Sequence, residues 1–92
     1  MDNQKKYKLS TNYLLYKEDE VSNDFYLFNV QNGEIFQINS TTYDFLSMCD
    51  GSREVVEIFR NLTKLYSIDF PTIRNDFRGL VHQWLQMGIL LE

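Results

Sequence analysis

His82 is the single histidine and Cys49 the single cysteine of this 92-residue chain. A thiolate activated by an imidazole is the nucleophilic pair these two residues could form. The two residues fall on different expected helices, and Cys49 follows Tyr43, Phe45 and Leu46 at helical spacing, which reads as packing. One histidine and one cysteine exclude a histidine-based metal cluster, a cysteine-built zinc site and an internal disulfide. Glu18, Asp19 and Glu20 stand in a row, as a solvated loop does more often than an acid/base pair. Gly33, Gly51, Gly79 and Gly88 are far apart, so no glycine-rich phosphate loop exists. No catalytic residue, metal ligand or cofactor is expected, and the chain is expected not to be an enzyme.

Two other features invite a partner. Ile35-Phe36-Gln37-Ile38 reads as the last strand of a small sheet and carries no proline, lysine or bulge signal, the usual devices that discourage added pairing. Either a helix or the C-terminal tail covers that edge, or an extended peptide completes it by β-augmentation. Arg74, Arg78 and His82, spaced i, i+4, i+8, form a basic line on an acidic chain. They are either a solvated face pairing with Asp76 and nearby carboxylates or a line that attracts an acidic partner.

The elements that must position these residues are legible in the pattern. A folded chain of this length exposes about 5,600 Å² and buries roughly 65% of its unfolded surface, enough for one core. Hydrophobic residues make up 43% and aromatics 15%, with only five Gly and Pro, which excludes a disordered chain. Tyr7, Leu9, Tyr13 and Leu15 alternate with polar residues and predict a first strand over residues 7–16. Residues 25–30 are apolar on both faces, as a central strand covered on each side is. Asn32-Gly33 suits a hairpin turn into a third strand over residues 35–38, completing an antiparallel meander.

Three helices follow. Asn39, Ser40 and Thr41 offer N-cap oxygens to the first, Thr41 with Asp44 resembles a capping box, and the helix is expected to end at Asp50-Gly51. The second begins at Ser52 and buries Val55, Ile58, Phe59, Leu62, Leu65 and Tyr66. The third starts between Asp69 and Thr72, tolerates Pro71 in its first turn, buries Ile73, Phe77, Leu80, Val81, Trp84 and Leu85, and ends at Gly88. Ile89, Leu90 and Leu91 form a tail docked on the core. The fold class is α+β, a winged-helix-like arrangement of a three-stranded meander followed by three helices. A single domain is expected over residues 1–92, with an ordered core at 7–91.

The formal charge of −4 opposes general binding to phosphate polymers, so nucleic acid is not expected as a partner. The start of the chain is charged and lacks the apolar stretch of a secretory signal. No apolar run approaches the roughly 20 residues needed to span a bilayer. The cytosol is the expected compartment, with no membrane association.

At Phe36-Gln37-Ile38-Asn39 the chain resembles the strand ending "aromatic-x-Leu-Asn" of the PqqD-like family, named for a small protein of pyrroloquinoline quinone biosynthesis. The resemblance continues through Ser40-Thr41 and a short helix to Met48-Cys49-Asp50-Gly51, then Val55 and Ile58. Asp76-Phe77, Leu80-Val81, Trp84 and Gly88-Ile89-Leu90 are similar to the family's ending. It covers roughly residues 7–91. The first helix departs from the pattern: Thr42-Tyr43 replaces a small Gly-Ala pair and Leu46 the usual Trp.

The resemblance implies a recognition element for ribosomally made, modified peptides. Such a module binds the leader segment of a precursor peptide and presents the rest to a modifying enzyme, which is a radical enzyme, a leader peptidase or a cyclase. In that family the leader pairs with the third strand beside the third helix. Carried over by position, Ile35, Phe36, Gln37 and Ile38 supply backbone hydrogen bonds, while Arg74, Arg78, Val81, His82 and Leu85 line the helical wall. Phe77, Leu80 and Trp84 are assigned to the core. Two rivals remain. One is a winged-helix DNA-binding protein, which the acidic balance and only two arginines on the third helix oppose. The other is a self-association module pairing through the same edge, so the expected state is a monomer or a weak dimer.

Overall fold

The computed structural model describes residues 4–19 and 23–92, and in it the expected first strand is two strands belonging to different sheets. β1 (Lys6–Leu9) and β2 (Tyr13–Lys17) are separated by a turn built on the buried Ser10. Its Oγ accepts from the Asn12 N–H at 3.1 Å and its carbonyl from the Tyr13 N–H, also at 3.1 Å. The turn preserves the alternation of buried odd-numbered residues. The pattern therefore ran on through it, since period 2 tells which face is buried but not which strand is the neighbour.

β2 pairs with β3 (Phe25–Asn29), which pairs with β4 (Ile35–Ile38), giving the expected antiparallel meander. Gly33, at φ 78°, takes the positive φ of the β3–β4 turn. β3 is central in hydrogen bonding, yet only one of its faces is covered: Phe25 and Leu27 are buried, while Tyr26 and Phe28 are half-exposed. The expectation of cover on both faces is corrected by the absence, among the described residues, of any layer over the outer side.

α1 (Ser40–Met48) starts two residues earlier than a Thr41/Asp44 box requires. Its N-cap is Asn39, whose Oδ1 accepts from the Thr42 N–H at 2.8 Å. The helix stops at Met48, ahead of the expected Asp50-Gly51. The second helix likewise does not begin at Ser52. Asp50–Glu54 forms β5, paired with β1, and α2 (Val55–Tyr66) follows. Asp50 Oδ1 accepts from both the N–H and the hydroxyl of Ser52, a turn that competes with helix. Those bonds hold the Asp50 carboxyl below the usual range.

α3 (Phe70–Gln86) begins inside the expected interval, with Pro71 in its first turn. Gly88, at φ 75°, ends it, and the Ile89 N–H reaches back to the Trp84 carbonyl at 2.9 Å. Ile89 and Leu90 dock on the core as expected while Leu91 is exposed, and the tail adds a strand: β6 (Leu90–Leu91) pairs with β1, so the second sheet has the order β5-β1-β6.

The core sits between the inner face of the meander and the three helices. Phe45 is fully buried, with ring centroids of Phe77, Trp84 and Phe59 at 4.6, 5.8 and 5.9 Å. Of the acidic run, Glu18 and Asp19 are exposed, and Glu20 lies outside the described residues. Among the described residues no helix is long and apolar enough to cross a membrane.

Candidate functional site

β4 has one strand neighbour. Among the described residues no strand pairs with its other side, so the edge expected at residues 35–38 is open to pairing. The phase of the ladder follows from the Asn29 N–H donating to the Glu34 carbonyl at 2.8 Å. Antiparallel pairs alternate, so Leu27/Phe36 and Phe25/Ile38 face each other with hydrogen bonds, whereas Ile35 and Gln37 turn their N–H and C=O outward. Ile35 and Gln37 are exposed; Phe36 and Ile38 point inward and pack partly on the core.

Where β4 ends, a groove begins. Asn39, Thr41 and Thr42 from the start of α1 form one wall, and Ile73, Asp76 and Leu80 on α3 form the other, with Phe77 at the floor and Ile68 closing it from the α2–α3 connection. Its volume of about 450 Å³ lies within the roughly 300–1,000 Å³ of ordinary ligand sites. The walls are apolar apart from the α1 hydroxyls and amide and the Asp76 carboxylate. The Asn39 cap holds that corner in shape, and the Tyr66 hydroxyl donates to Asp44, fastening α2 to α1 behind it.

The nine residues expected to share a site are not gathered in one place. Arg78, Val81, His82 and Leu85 line a different depression, together with Gly79 and with Tyr7 of β1. Val81 is buried, Leu85 half-buried, and Arg74, Arg78 and His82 exposed. The reason is helix rotation. Ile73, Phe77 and Trp84 face the core, Asp76 and Leu80 fall on the flank toward α1, and Arg74, Arg78 and His82 fall on the opposite flank toward β1. Periodicity identifies the buried stripe but not which flank meets which neighbour. The groove that continues from the end of β4 is therefore lined from α3 by Ile73, Asp76 and Leu80 and not by the basic line. Ile73, Phe77 and Leu80, read from spacing as the buried stripe, and Asp76 line this groove at i, i+3, i+4, i+7, and Asn39, which joins them there, directly follows the strand.

The electrostatics of the remaining reactive groups argue against nucleophilic chemistry. Burial pushes the Cys49 thiol up to about 12, with the Asp50 charge adding to the effect, and its Sγ points at the Phe45 carbonyl. A thiol so raised is essentially un-ionised near neutrality and so a weak nucleophile. Among the described residues no group of His, Cys, Asp and Glu is placed to hold a metal ion.

A family model described as Coenzyme PQQ synthesis protein D (PqqD) matches residues 24–90. No curated protein matches the sequence. Among solved structures, the fold is similar to that of "TbiB1 in Complex with the TbiA(beta) Leader Peptide", with a TM-score of 0.71 and 20% identity over 90% of this chain and 93% of that one. At that identity the likeness is one of fold.

Proposed function

The chain belongs to the PqqD family, and on that footing we propose that it binds the leader segment of a ribosomally made precursor peptide along β4 and delivers the precursor to a modifying enzyme. The observation that carries this reading is the open margin of β4, with Ile35 and Gln37 facing outward and a groove of mixed polar and apolar lining continuing from its end. The similar fold described in complex with a leader peptide supports it.

The physics of such an encounter is that of a strand completing a sheet. Ile35 and Gln37 together offer two N–H donors and two carbonyl acceptors. At about 0.5–1.5 kcal/mol net for each hydrogen bond, a paired leader gains roughly 2–6 kcal/mol. One or two apolar leader side chains entering the groove against Ile73, Phe77 and Leu80 add about 1.5–3 kcal/mol each. Ordering a flexible peptide opposes these gains, so a dissociation constant between nanomolar and micromolar is expected. The chain supplies shape and edge, and the partner enzyme, whether radical enzyme, leader peptidase or cyclase, supplies the reaction. The cytosol is the compartment this reading assigns, and residues 1–92 act in it as one peptide-binding unit.

Amide hydrogen exchange of the chain with and without a synthetic leader peptide tests the proposal. Slowed exchange at Ile35 and Gln37, with Phe36 and Ile38 already protected by the ladder, is the expected result. Binding that leaves the Ile35 and Gln37 amides unprotected removes strand pairing from the mechanism.

A further inference from the structure

The outer face of the meander is apolar and uncovered. Register sets Leu14, Phe28 and Ile35 in one row across the three strands, and Tyr16 beside Tyr26 in the next. Leu14, Tyr16 and Ile35 are 56%, 55% and 63% exposed, and the Tyr16 and Tyr26 ring centroids lie 6.2 Å apart. The core is built on the other face, by Tyr13, Leu15, Leu27 and Phe36, so folding does not demand apolar side chains here. Single exposed hydrophobics are ordinary, whereas five assembled on one face mark an interaction surface.

The charge around this face has a sign. The described residues of the meander stretch, 13–19 and 23–38, contain one cation, Lys17, and four carboxylates, Glu18, Asp19, Asp24 and Glu34, a balance of −3. Asp24 and Glu34 immediately precede β3 and β4, and Glu18 immediately follows β2, so carboxylates stand at the strand ends bordering the patch. Desolvation, followed by the charges of Asp24 and Glu18, raises the Tyr26 phenol above its ordinary value.

We propose that this face docks a second protein whose contact area is apolar and bordered by lysine and arginine. Charge complementarity selects that occupant. A second copy of the chain brings two acidic borders together, and the anionic surface of a membrane repels the same carboxylates. Ile35 belongs to both this face and the β4 margin. On the leader-binding reading, a fourth strand widens the face, because alternate leader side chains project onto it. The partner then touches chain and leader at once. That last consequence rests on the leader reading; the docking face does not.

The test uses a synthetic 14-residue amphipathic helix of Leu and Lys, its Leu/Glu counterpart, and anionic vesicles as probes, followed by amide chemical shifts of the chain and by fluorescence anisotropy. The Leu/Lys helix is expected to shift Leu14, Tyr16, Tyr26, Phe28 and Ile35, and the Leu/Glu helix to bind at least tenfold more weakly. Leu14→Ser combined with Tyr16→Ser is expected to lower affinity for the Leu/Lys helix at least tenfold while leader affinity is retained. Equal binding of the two helices, shifts confined to other surfaces, vesicle binding through this face, or self-association abolished by the double substitution would each overturn the proposal. Loss of leader pairing with helix binding intact defeats the proposed function alone. The converse result defeats the docking face alone.

Discussion

The Tyr66 hydroxyl, at the last residue of α2, donates to the Asp44 carboxylate on α1. Desolvation, then this hydrogen bond, raises the Tyr66 phenol. The bond fixes the corner from which Ile68 reaches the groove. A hydrogen bond to a carboxylate contributes roughly 1.5–3 kcal/mol, and partial exposure lowers that figure here. Tyr66→Phe is expected to destabilise the fold by about 1–2 kcal/mol in urea unfolding. A change within about 0.3 kcal/mol shows that the contact contributes nothing measurable.

Proline scanning of β4 separates the two sides of the strand. Gln37→Pro deletes an outward N–H and leaves the β3 ladder whole, so leader affinity is expected to fall at least tenfold in a protein that stays folded. Phe36→Pro deletes a ladder donor and is expected to lower the unfolding midpoint as well. Circular dichroism melts beside leader titrations distinguish the two, and equal effects at both positions contradict the assigned phase.

The two flanks of α3 make opposite demands. Leu80→Lys places a charge in the groove and is expected to weaken leader binding at least tenfold. Arg78→Glu alters the depression beside Tyr7, and affinity should change less than threefold, with an unaltered salt dependence. A steep salt-dependent loss in Arg78→Glu returns the site to the basic line.

Cys49 makes stability depend on alkaline pH. Its folded value of about 12 lies above the ordinary 9.0, so the contribution is complete below about pH 9 and drains away as pH rises toward 12. Thermal midpoints of the parent should hold level to about pH 8.5 and then fall. Cys49→Ala, which starts lower, should lose less over the same range. Parallel pH profiles for the two proteins refute the coupling. Tyr26 and Tyr66, whose phenols are also raised, contribute a further fall common to both.

The helices and the meander were legible because each pairs a period with a punctuating residue: Gly33 at the hairpin, Pro71 opening α3, Gly88 ending it. What sequence could not reveal was partner choice between elements. Tyr7 and Tyr13 share a parity, but the Ser10 turn sends them to different sheets. Ser52 lies two residues after Asp50, whose side chain closes a turn rather than capping a helix, and β1 claims that segment as a neighbour. At the site, the four residues of β4 marked an edge strand without devices against pairing, but whether another element covers it is decided only by the sheet order. The wall depended on the rotation of a helix with two half-buried flanks, a tertiary property that spacing within one helix does not contain.

β1 has consequences for synthesis. Its neighbours are residues 50–54 and 90–91, so one of its sides is satisfied only once residues 50–54 are made and the other only once residues 90–91 are. The hairpins of β2, β3 and β4 close locally and can assemble while translation continues. The meander thus closes within residues 13–38, whereas the second sheet is complete only when three segments far apart along the chain have met.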